Sequence, residues 1–508
     1  NKYVTFAHSP VHDLFSAFEE KPNLFGDDWN LPESGNGISD LLDEIKWELD
    51  WLMKMSNADG SVQIKMGSID FGDNIEAPPS QNLDQRFYGP VCSSASIAVS
   101  SMFAHAAKVF AGLSGMSSYA SGLESRAIAC WDAFISKFDA NALDENCDDG
   151  TIKAGDADWS AAEQKEVALT AAVYLFELTG GANYHDFIID HYDEAETISA
   201  PFWGPYKISL IEALLLYTTL TNNNSTVRDG ILNSAITDIN NNYSNFFAFS
   251  ANDLYRAEAP DWMYHWGSNM PKANVGNLCQ ILQKYNVLPA ANSALAEKAA
   301  EQLHYFHGLN PLGMVYLSNM YSRGGDRCAN EIYHTWFYDG TIWDNALTST
   351  YGPAPGFLVG GPNKDFSLGS IVPPSGQPPQ KSYLDFNTGF PDNSWEITEP
   401  AIYYQAAYVR FLANYVNTDA VTSSVNLKLA NSCIEIYPNP TESIFHLKGI
   451  LDKYKMEIYN SAGTLVQSVS GLGTEAVIDM SQLPAGIFLL RVENLQNNLL
   501  CVQKILKQ

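Results

Sequence analysis

Up to residue 418 the apolar residues of this chain return at helical spacing in one segment after another, and beyond it they alternate. That break constrains the fold more than any other feature: a large helical body, then a small all-β one. Residues 40–55, DLLDEIKWELDWLMKM, are the clearest helix. Leu41, Leu42, Ile45, Leu49, Leu52 and Met53 line one face, and Ser39 or Asp40 can cap it. Trp47 and Trp51, four residues apart, read as packing. Further helices are predicted in the small-residue stretches SSASIAVSSMFAHAAKVFAGL and SRAIACWDAFISKF, and then over 163–180, 208–220, 276–287, 295–309 and 401–416. Residues 1–30 read as helix and loop. Helices joined by long loops predict a toroid whose loops form a cleft at one end. From Cys433 the runs IEIYPNP, IFHLKG, KMEIYN, LVQSVS, AVIDM, GIFLLRVEN and CVQKILK alternate between turn signals. They predict a sandwich-like module of about seven strands. The expected division is a helical domain over 1–418, a polar linker over 419–432 and an all-β domain over 433–508.

Composition excludes several function classes. The 508 residues carry 29 Lys and Arg against 58 Asp and Glu, a net charge of −29. Nucleic-acid binding needs a basic footprint, so it is disfavoured, as are anionic polysaccharides. Neutral polymers stay open. No apolar run is long enough to span a membrane. Aromatic residues make up 12% of the chain. A large core accounts for much of that, but sugar rings also stack their apolar C–H faces on aromatics. Cys92, Cys130, Cys147, Cys279, Cys328, Cys433 and Cys501 are odd in number, with no CxxC, and leave the compartment open.

Two stretches carry candidate chemistry. Asn393–Val409 holds Glu396 and Glu399 three residues apart, with tyrosines following. A carboxyl beside an aromatic wall can act as a general acid, because burial disfavours its charged form. The other reading is a pair of glutamates at a helix start, where the dipole favours acids. The second stretch is Asp148-Asp149-Gly150 with Asp156-Ala157-Asp158-Trp159. Four aspartates around glycines suit a hard cation, calcium foremost, though the spacing is not that of an EF-hand. The alternative is a solvated acidic loop capping the helix that starts near Ala161.

Six motifs occur in order: Leu31-Pro32-Glu33 with Asp40-Leu41-Leu42-Asp43-Glu44, WELDWLMKM, Trp266-Gly267-Ser268-Asn269, Gly308-Leu309-Asn310-Pro311-Leu312-Gly313, Tyr351-Gly352-Pro353 leading to Gly360-Gly361-Pro362-Asn363, and Thr398-Glu399-Pro400-Ala401-Ile402. Together they resemble the family 9 glycoside hydrolases, mostly cellulases, over residues 1–418. The resemblance implies an (α/α)6 barrel and inverting hydrolysis of β-1,4 bonds in cellulose or a related neutral β-glucan. It gives the acid role to Glu399 rather than Glu396, since Glu399 stands in the family's Asn-Glu-x-Ala-Ile segment, with Thr398 for the usual Asn. Tyr404 matches a family tyrosine near the cleaved sugar. His334 matches the second histidine of a His-His-Arg substrate loop, with Tyr333 and Thr335 in the other two places. Trp336 is expected to stack on a glucose ring. Trp266 and Arg86 are candidates for the cleft wall, with packing or a salt bridge as the other reading. No cofactor is required for this chemistry, and a structural calcium is expected at Asp148, Asp149, Asp156 and Asp158, since calcium sites occur in the family.

The family draws its base from an Asp-Ala-Gly-Asp loop that is absent here, and Asn1-Lys2-Tyr3-Val4 resembles the segment following it. The resemblance therefore implies a chain starting a few residues past its base, with only background hydrolysis of its own. Asp13, the nearest acid, falls in a helical pattern and is a poor substitute. A non-catalytic β-glucan-binding protein using the same cleft is the alternative.

In the β module, Ile436-Tyr437-Pro438-Asn439-Pro440, Ile458-Tyr459-Asn460 with Gly463, Leu483-Pro484-Ala485-Gly486-Ile487-Phe488 and Lys504-Ile505-Leu506-Lys507 resemble the type A sorting domain of type IX secretion. That implies a secreted or cell-surface protein of a Bacteroidetes-type bacterium, with the secretion machinery as a partner. A carbohydrate-binding module is the other reading, but the module has no tryptophan to form a stacking platform.

Overall fold

The computed structural model describes residues 2–70, 79–153, 157–247, 254–257, 259–416, 428–429, 434–449, 453–460, 465–494 and 499–508. The chain divides into two compact units, 1–416 and 417–508. The first carries helices α1 (His8–Glu20), α2 (Asp40–Met55), α3 (Ser93–Ala111), α4 (Ser117–Asp139), α5 (Ala161–Thr179), α6 (Ala182–His191) and α7 (Glu196–Ser199). These are followed by α8 (Ile208–Thr219), α9 (Ser225–Asn241), α10 (Asn269–Lys284), α11 (Asn292–Phe306), α12 (Trp395–Thr398) and α13 (Ile402–Ala413).

Sequence composition decides which helices lie inside. In α3 and α8 nearly every residue is buried, polar serines of α3 included, so both are packed on all sides. The Ala and Ser of α3 let its neighbours approach closely. Helix α2 has one apolar stripe and covers α1 from outside. The helices α1, α3, α5, α8, α10 and α13 each touch the next in that order, and α13 returns to α1. That closes an inner ring. Outside it α2 lies on α1, α4 on α3, α6 on α5, α9 on α8 and α11 on α10. Residues at or just before the starts of the inner helices, among them Phe6, Glu163, Ser209, Met270 and Tyr403, line one cavity of about 320 Å³. Inner helices therefore open toward one mouth. Two short sheets sit among the loops: β1 (Lys2–Tyr3), β2 (Lys65–Gly67) and β3 (Phe87–Tyr88) form one, and β4 (Val315–Ser318) with β5 (Cys328–Ala329) the other.

Polar groups stitch the ring from within. His8 Nε2 lies 3.3 Å from Ser101 Oγ, which is 2.9 Å from His12 Nε2. His12 Nδ1 lies 2.9 Å from His105 Nδ1, and His105 Nε2 3.0 Å from Glu19. With every imidazole neutral, one run of donors from His8 to Glu19 satisfies all four bonds. Burial keeps the rings neutral, lowering all three histidines and His8 to about 4. A second network centres on Arg410 of α13, 2% exposed, which binds Asp13 and Glu20 of α1 and Glu212 of α8. Asp13 is thus committed to an ion pair.

Two features depart from the sequence reading. Trp47 is 70% exposed rather than packed, because it lies off the face of α2 that buries Leu41, Leu42, Ile45, Leu49, Leu52 and Met55. Cys92 and Cys147 form a disulfide across 55 residues, joining the start of α3 to the loop before α5. Closing a loop of that length is worth up to about 4 kcal/mol in chain entropy. The double substitution Cys92→Ala with Cys147→Ala should lower the unfolding free energy of the helical unit by about 2–4 kcal/mol in a denaturant titration. A midpoint unchanged by the substitution would show the bond to be structurally idle.

The second unit is all β. Its strands are β6 (Lys428–Leu429), β7 (Ile434–Tyr437), β8 (Ile444–Gly449), β9 (Lys453–Asn460), β10 (Leu465–Leu472), β11 (Glu475–Asp479), β12 (Gly486–Asn494) and β13 (Leu499–Lys507). Strand order is β10-β9-β12-β13-β6 in one sheet and β11-β8-β7 in the other. Alternation sets the core: Phe488, Leu490 and Val492 are buried with Phe445, Leu447, Met456, Ile458 and Ile505, while Ile487 and Leu489 face out. Cys433 lies outside the described residues.

Candidate active site

Glu399 follows α12, where the chain leaves the helix in extended conformation before Pro400. Three of the sequence motifs converge behind it. Gly361 N–H donates to Ile397 O at 2.9 Å, and Asn363 Nδ2 to Glu396 O at 3.3 Å. Asn269 N–H donates to Gly360 O at 2.9 Å, Asn269 Nδ2 to Val359 O at 2.9 Å, and Ser268 Oγ to Pro362 O at 2.7 Å. Gly360 is required, since a Cβ there would lie 2.8 Å from Ile397 O. Gly267, with φ at +79°, is the second such position: a Cβ there would lie 2.3 Å from the Tyr404 hydroxyl.

The two glutamates have different environments. Glu396 is buried and accepts from Ser367 N–H at 2.9 Å and Ser367 Oγ at 2.5 Å. Its carboxylate is spent on holding a loop. Glu399 is raised by burial, an effect opposed by a hydrogen bond from the Trp266 side chain. No second carboxylate contributes to that shift among the described residues. Tyr3, Tyr333, Tyr403 and Tyr404 are all raised, first by burial and in part by the charge of Glu399. Four tyrosines thus lie within electrostatic reach of the Glu399 carboxyl.

Residues that follow Glu399 in the chain line two cavities. Tyr403 lines the 320 Å³ cavity at the barrel mouth. Pro400 and Ile402 line another of about 750 Å³ with His334, Trp336, Phe337, Trp343 and Tyr351. Trp336 and Trp343 stand 5.7 Å apart by ring centroid, and Trp343 stacks on Tyr351 at 6.5 Å. Such a wall of aromatic ring faces suits a polymer of neutral sugar rings.

The family model described as Glycosyl hydrolase family 9 matches residues 1–412. The chain belongs to glycosyl hydrolase family 9. Endoglucanase D of Acetivibrio thermocellus is 25% identical over 84% of this chain and 58% of its own length. The xyloglucan-specific endo-β-1,4-glucanase BoGH9A of Bacteroides ovatus is 24% identical over 81% of this chain and 65% of its own length. The chain thus spans about three fifths of the length of the curated relatives it matches. A metagenome-derived family 9 endoglucanase superposes with a TM-score of 0.66 at 24% identity, covering 82% of this chain and 68% of that one. The Bacteroides ovatus family 9 structure does so at 0.61 and 21%, covering 81% of this chain. These neighbours share the (α/α)6 barrel. Residues 435–508 match the secretion system C-terminal sorting domain, which marks the chain for export to the exterior or cell surface. No helix among the described residues is long and apolar enough to cross a membrane.

Within this family 9 barrel the residues singled out from sequence fall into three groups. Trp266 bonds Glu399, while His334 and Trp336 line the 750 Å³ cavity together with Pro400, the residue after Glu399. His334 is open to that cavity, yet sits deep enough for burial to lower its basicity. Tyr404 is 2% exposed and packed under Gly267, while Tyr403 is the tyrosine that lines the 320 Å³ cavity. Arg86 spends its guanidinium on Asp84 O and Asn82 of its own loop.

The acidic loop does not gather round one point. Asp148 pairs with buried Lys65 at 2.5 Å, Asp149 accepts Thr151 N–H at 2.9 Å, and Asp158 accepts Asp148 N–H at 2.8 Å. Asp156 lies outside the described residues. Among the described residues no three of these aspartates come within 4.8 Å of one another. Asp27, Asp40 and Asp43 do converge, but Gly35, Gly37, Trp29, Ser34 and Asn36 already donate to them. Sequence reasoning missed Trp343, because an isolated aromatic in a loop carries no periodic signal.

Proposed function

We propose that this chain hydrolyses β-1,4 bonds of cellulose or a related neutral β-glucan, with Glu399 as general acid. What supports the reading is a carboxyl raised by burial whose chain neighbours line two cavities, Tyr403 the smaller and Pro400 and Ile402 the larger, which is walled by tryptophans. A protonated Glu399 gives its proton to the glycosidic oxygen as the bond to the anomeric carbon breaks. An inverting enzyme needs a base about 6.5–9.5 Å away to activate water on the opposite face. Asp13 lines the 320 Å³ cavity but is ion-paired with Arg410, and that role is not given to it. The acid is therefore assigned and the base is not. The reaction so written uses no cofactor. The C-terminal unit is read as the address by which type IX secretion machinery exports the chain.

Proton NMR of cellohexaose during cleavage tests the reading, with sodium azide added in a parallel run as a nucleophile that needs no base. Inversion predicts the α-anomer, or the α-azide, as first product. A β-product overturns inversion. Tight cellohexaose binding with no cleavage in either run would favour the binding-only alternative.

A further inference from the structure

Three consecutive residues tie the aromatic wall of the large cavity to the segment that bears the acid. Asp385 accepts Asn330 N–H at 2.7 Å and Glu331 N–H at 3.5 Å, with the Tyr383 hydroxyl at 3.4 Å. These bonds fix where the 330–346 loop begins. Asn387, 2% exposed, donates through Nδ2 to Phe337 O at 2.7 Å and to Asp344 at 2.7 Å. Those bonds fix the loop on either side of its turn. Between the two, Phe386 O accepts the Thr398 hydroxyl at 2.6 Å, one residue before Glu399. The loop returns the contact, since Tyr333 N–H donates to Thr398 O at 3.3 Å. His334, Trp336 and Trp343 all ride on the segment so clamped.

We propose that Asp385 and Asn387 are positioning residues: they hold the Trp336 and Trp343 rings at a set distance from Glu399 and so determine how tightly a β-glucan chain binds beside the acid. This rests on the β-glucan reading of the site. The physical argument is that the loop has no regular secondary structure beyond a short turn at Thr335–Phe337, so its backbone groups need side-chain partners to hold one shape. Asp385 supplies two acceptor oxygens to adjacent N–H groups, a bridge that Ala cannot make. Stacking subsites need ring placement to within a fraction of an ångström, which makes a loosened loop costly for binding without touching the acid itself.

The test is isothermal titration of cellohexaose into the full chain carrying Glu399→Gln, which binds without cutting. Asp385→Ala, Asp385→Asn and Asn387→Ala are each added to it. Asp385→Ala and Asn387→Ala should each raise Kd about tenfold while stoichiometry stays near one, the loss of one or two buried hydrogen bonds. Asp385→Asn keeps the acceptor for Asn330 N–H and should stay within about threefold. A merely structural role would lower the fraction of competent protein and leave Kd alone, so Kd within twofold of the parent for both alanine variants overturns the proposal. If the parent itself shows no binding of cellohexaose, the β-glucan reading falls and this inference with it. Parent binding with unmoved variants sinks only the inference.

Discussion

Glu399→Gln should slow cleavage of cellohexaose by about 10²–10⁴-fold, the usual contribution of a general acid. The comparison takes the faster of two conditions for each protein, plain buffer and added azide, so the result does not depend on which group activates water. Gln has the same shape and keeps an acceptor for Trp266, so the fold and the cavity are retained. What it cannot do is deliver a proton to a sugar leaving group, whose oxygen is a strong base when expelled. A dinitrophenyl leaving group needs no such help. Cleavage of dinitrophenyl cellobioside should therefore fall by less than about tenfold in the same variant. Equal losses on both substrates would show that Gln disturbs binding or geometry instead. The pH profile carries a sign as well. Burial raises Glu399, so its protonated, active form persists toward neutral pH, and activity is lost as pH rises through that raised value. The variant should lack this alkaline limb.

Much of this arrangement is legible in sequence where periodicity or motif spacing is strong. Helix α2 occupies residues 40–55 as its pattern predicts, because Leu41, Leu42, Ile45, Leu49 and Leu52 are all buried on one side. Helix α9 escaped the reading. Its buried positions Val227, Ile231, Ala235 and Ile239 recur every four residues, a stripe too narrow to stand out among Asn, Thr and Ser. Its Asn224 cap, accepting Thr226 and Val227 N–H, was the signal available. Glu396 and Glu399 differ in the structure by partners that sequence does not show: Ser367, which bonds Glu396, lies 29 residues from it. The Cys92–Cys147 bond was invisible for the same reason, since spacing alone cannot say which thiols a helical ring brings together. The aspartates of the 148–158 loop show another limit of sequence: their density suggested a cation, while the pairing of Asp148 with Lys65, 83 residues away, is visible only in the fold.

Arg410→Met should cost about 3–5 kcal/mol of unfolding free energy at pH 7, the penalty for removing one partner of a buried ion network. Arg410 is the only positive charge in α13, and it reaches Asp13, Glu20 and Glu212 from the centre of the ring. Lys284 also binds Glu20 and Glu212, but it makes no pair with Asp13. Without Arg410 three carboxylates would share one ammonium. Burial alone would raise Glu212, and it is Arg410 and Lys284 that outweigh burial and hold it low. Asp13 is already pushed up to about 6 by burial, only partly offset by Arg410. In the parent, the low carboxyl of Glu212 adds stability above the unfolded carboxylate range, lost as pH falls below it. In the variant the carboxyls rise, and the folded state takes up protons that the unfolded state releases. The variant should then gain stability as pH falls from 7 toward 5, so the gap to the parent narrows on acidification. Denaturant titrations of both proteins at pH 7 and 5 measure this directly. Arg410→Lys should recover only part of the loss, because an ammonium cannot reach three acids that a planar guanidinium bridges at once. A gap below about 1 kcal/mol at pH 7, or one that widens in acid, would mean that the ring is held by its apolar contacts alone and that the charges inside it are bystanders.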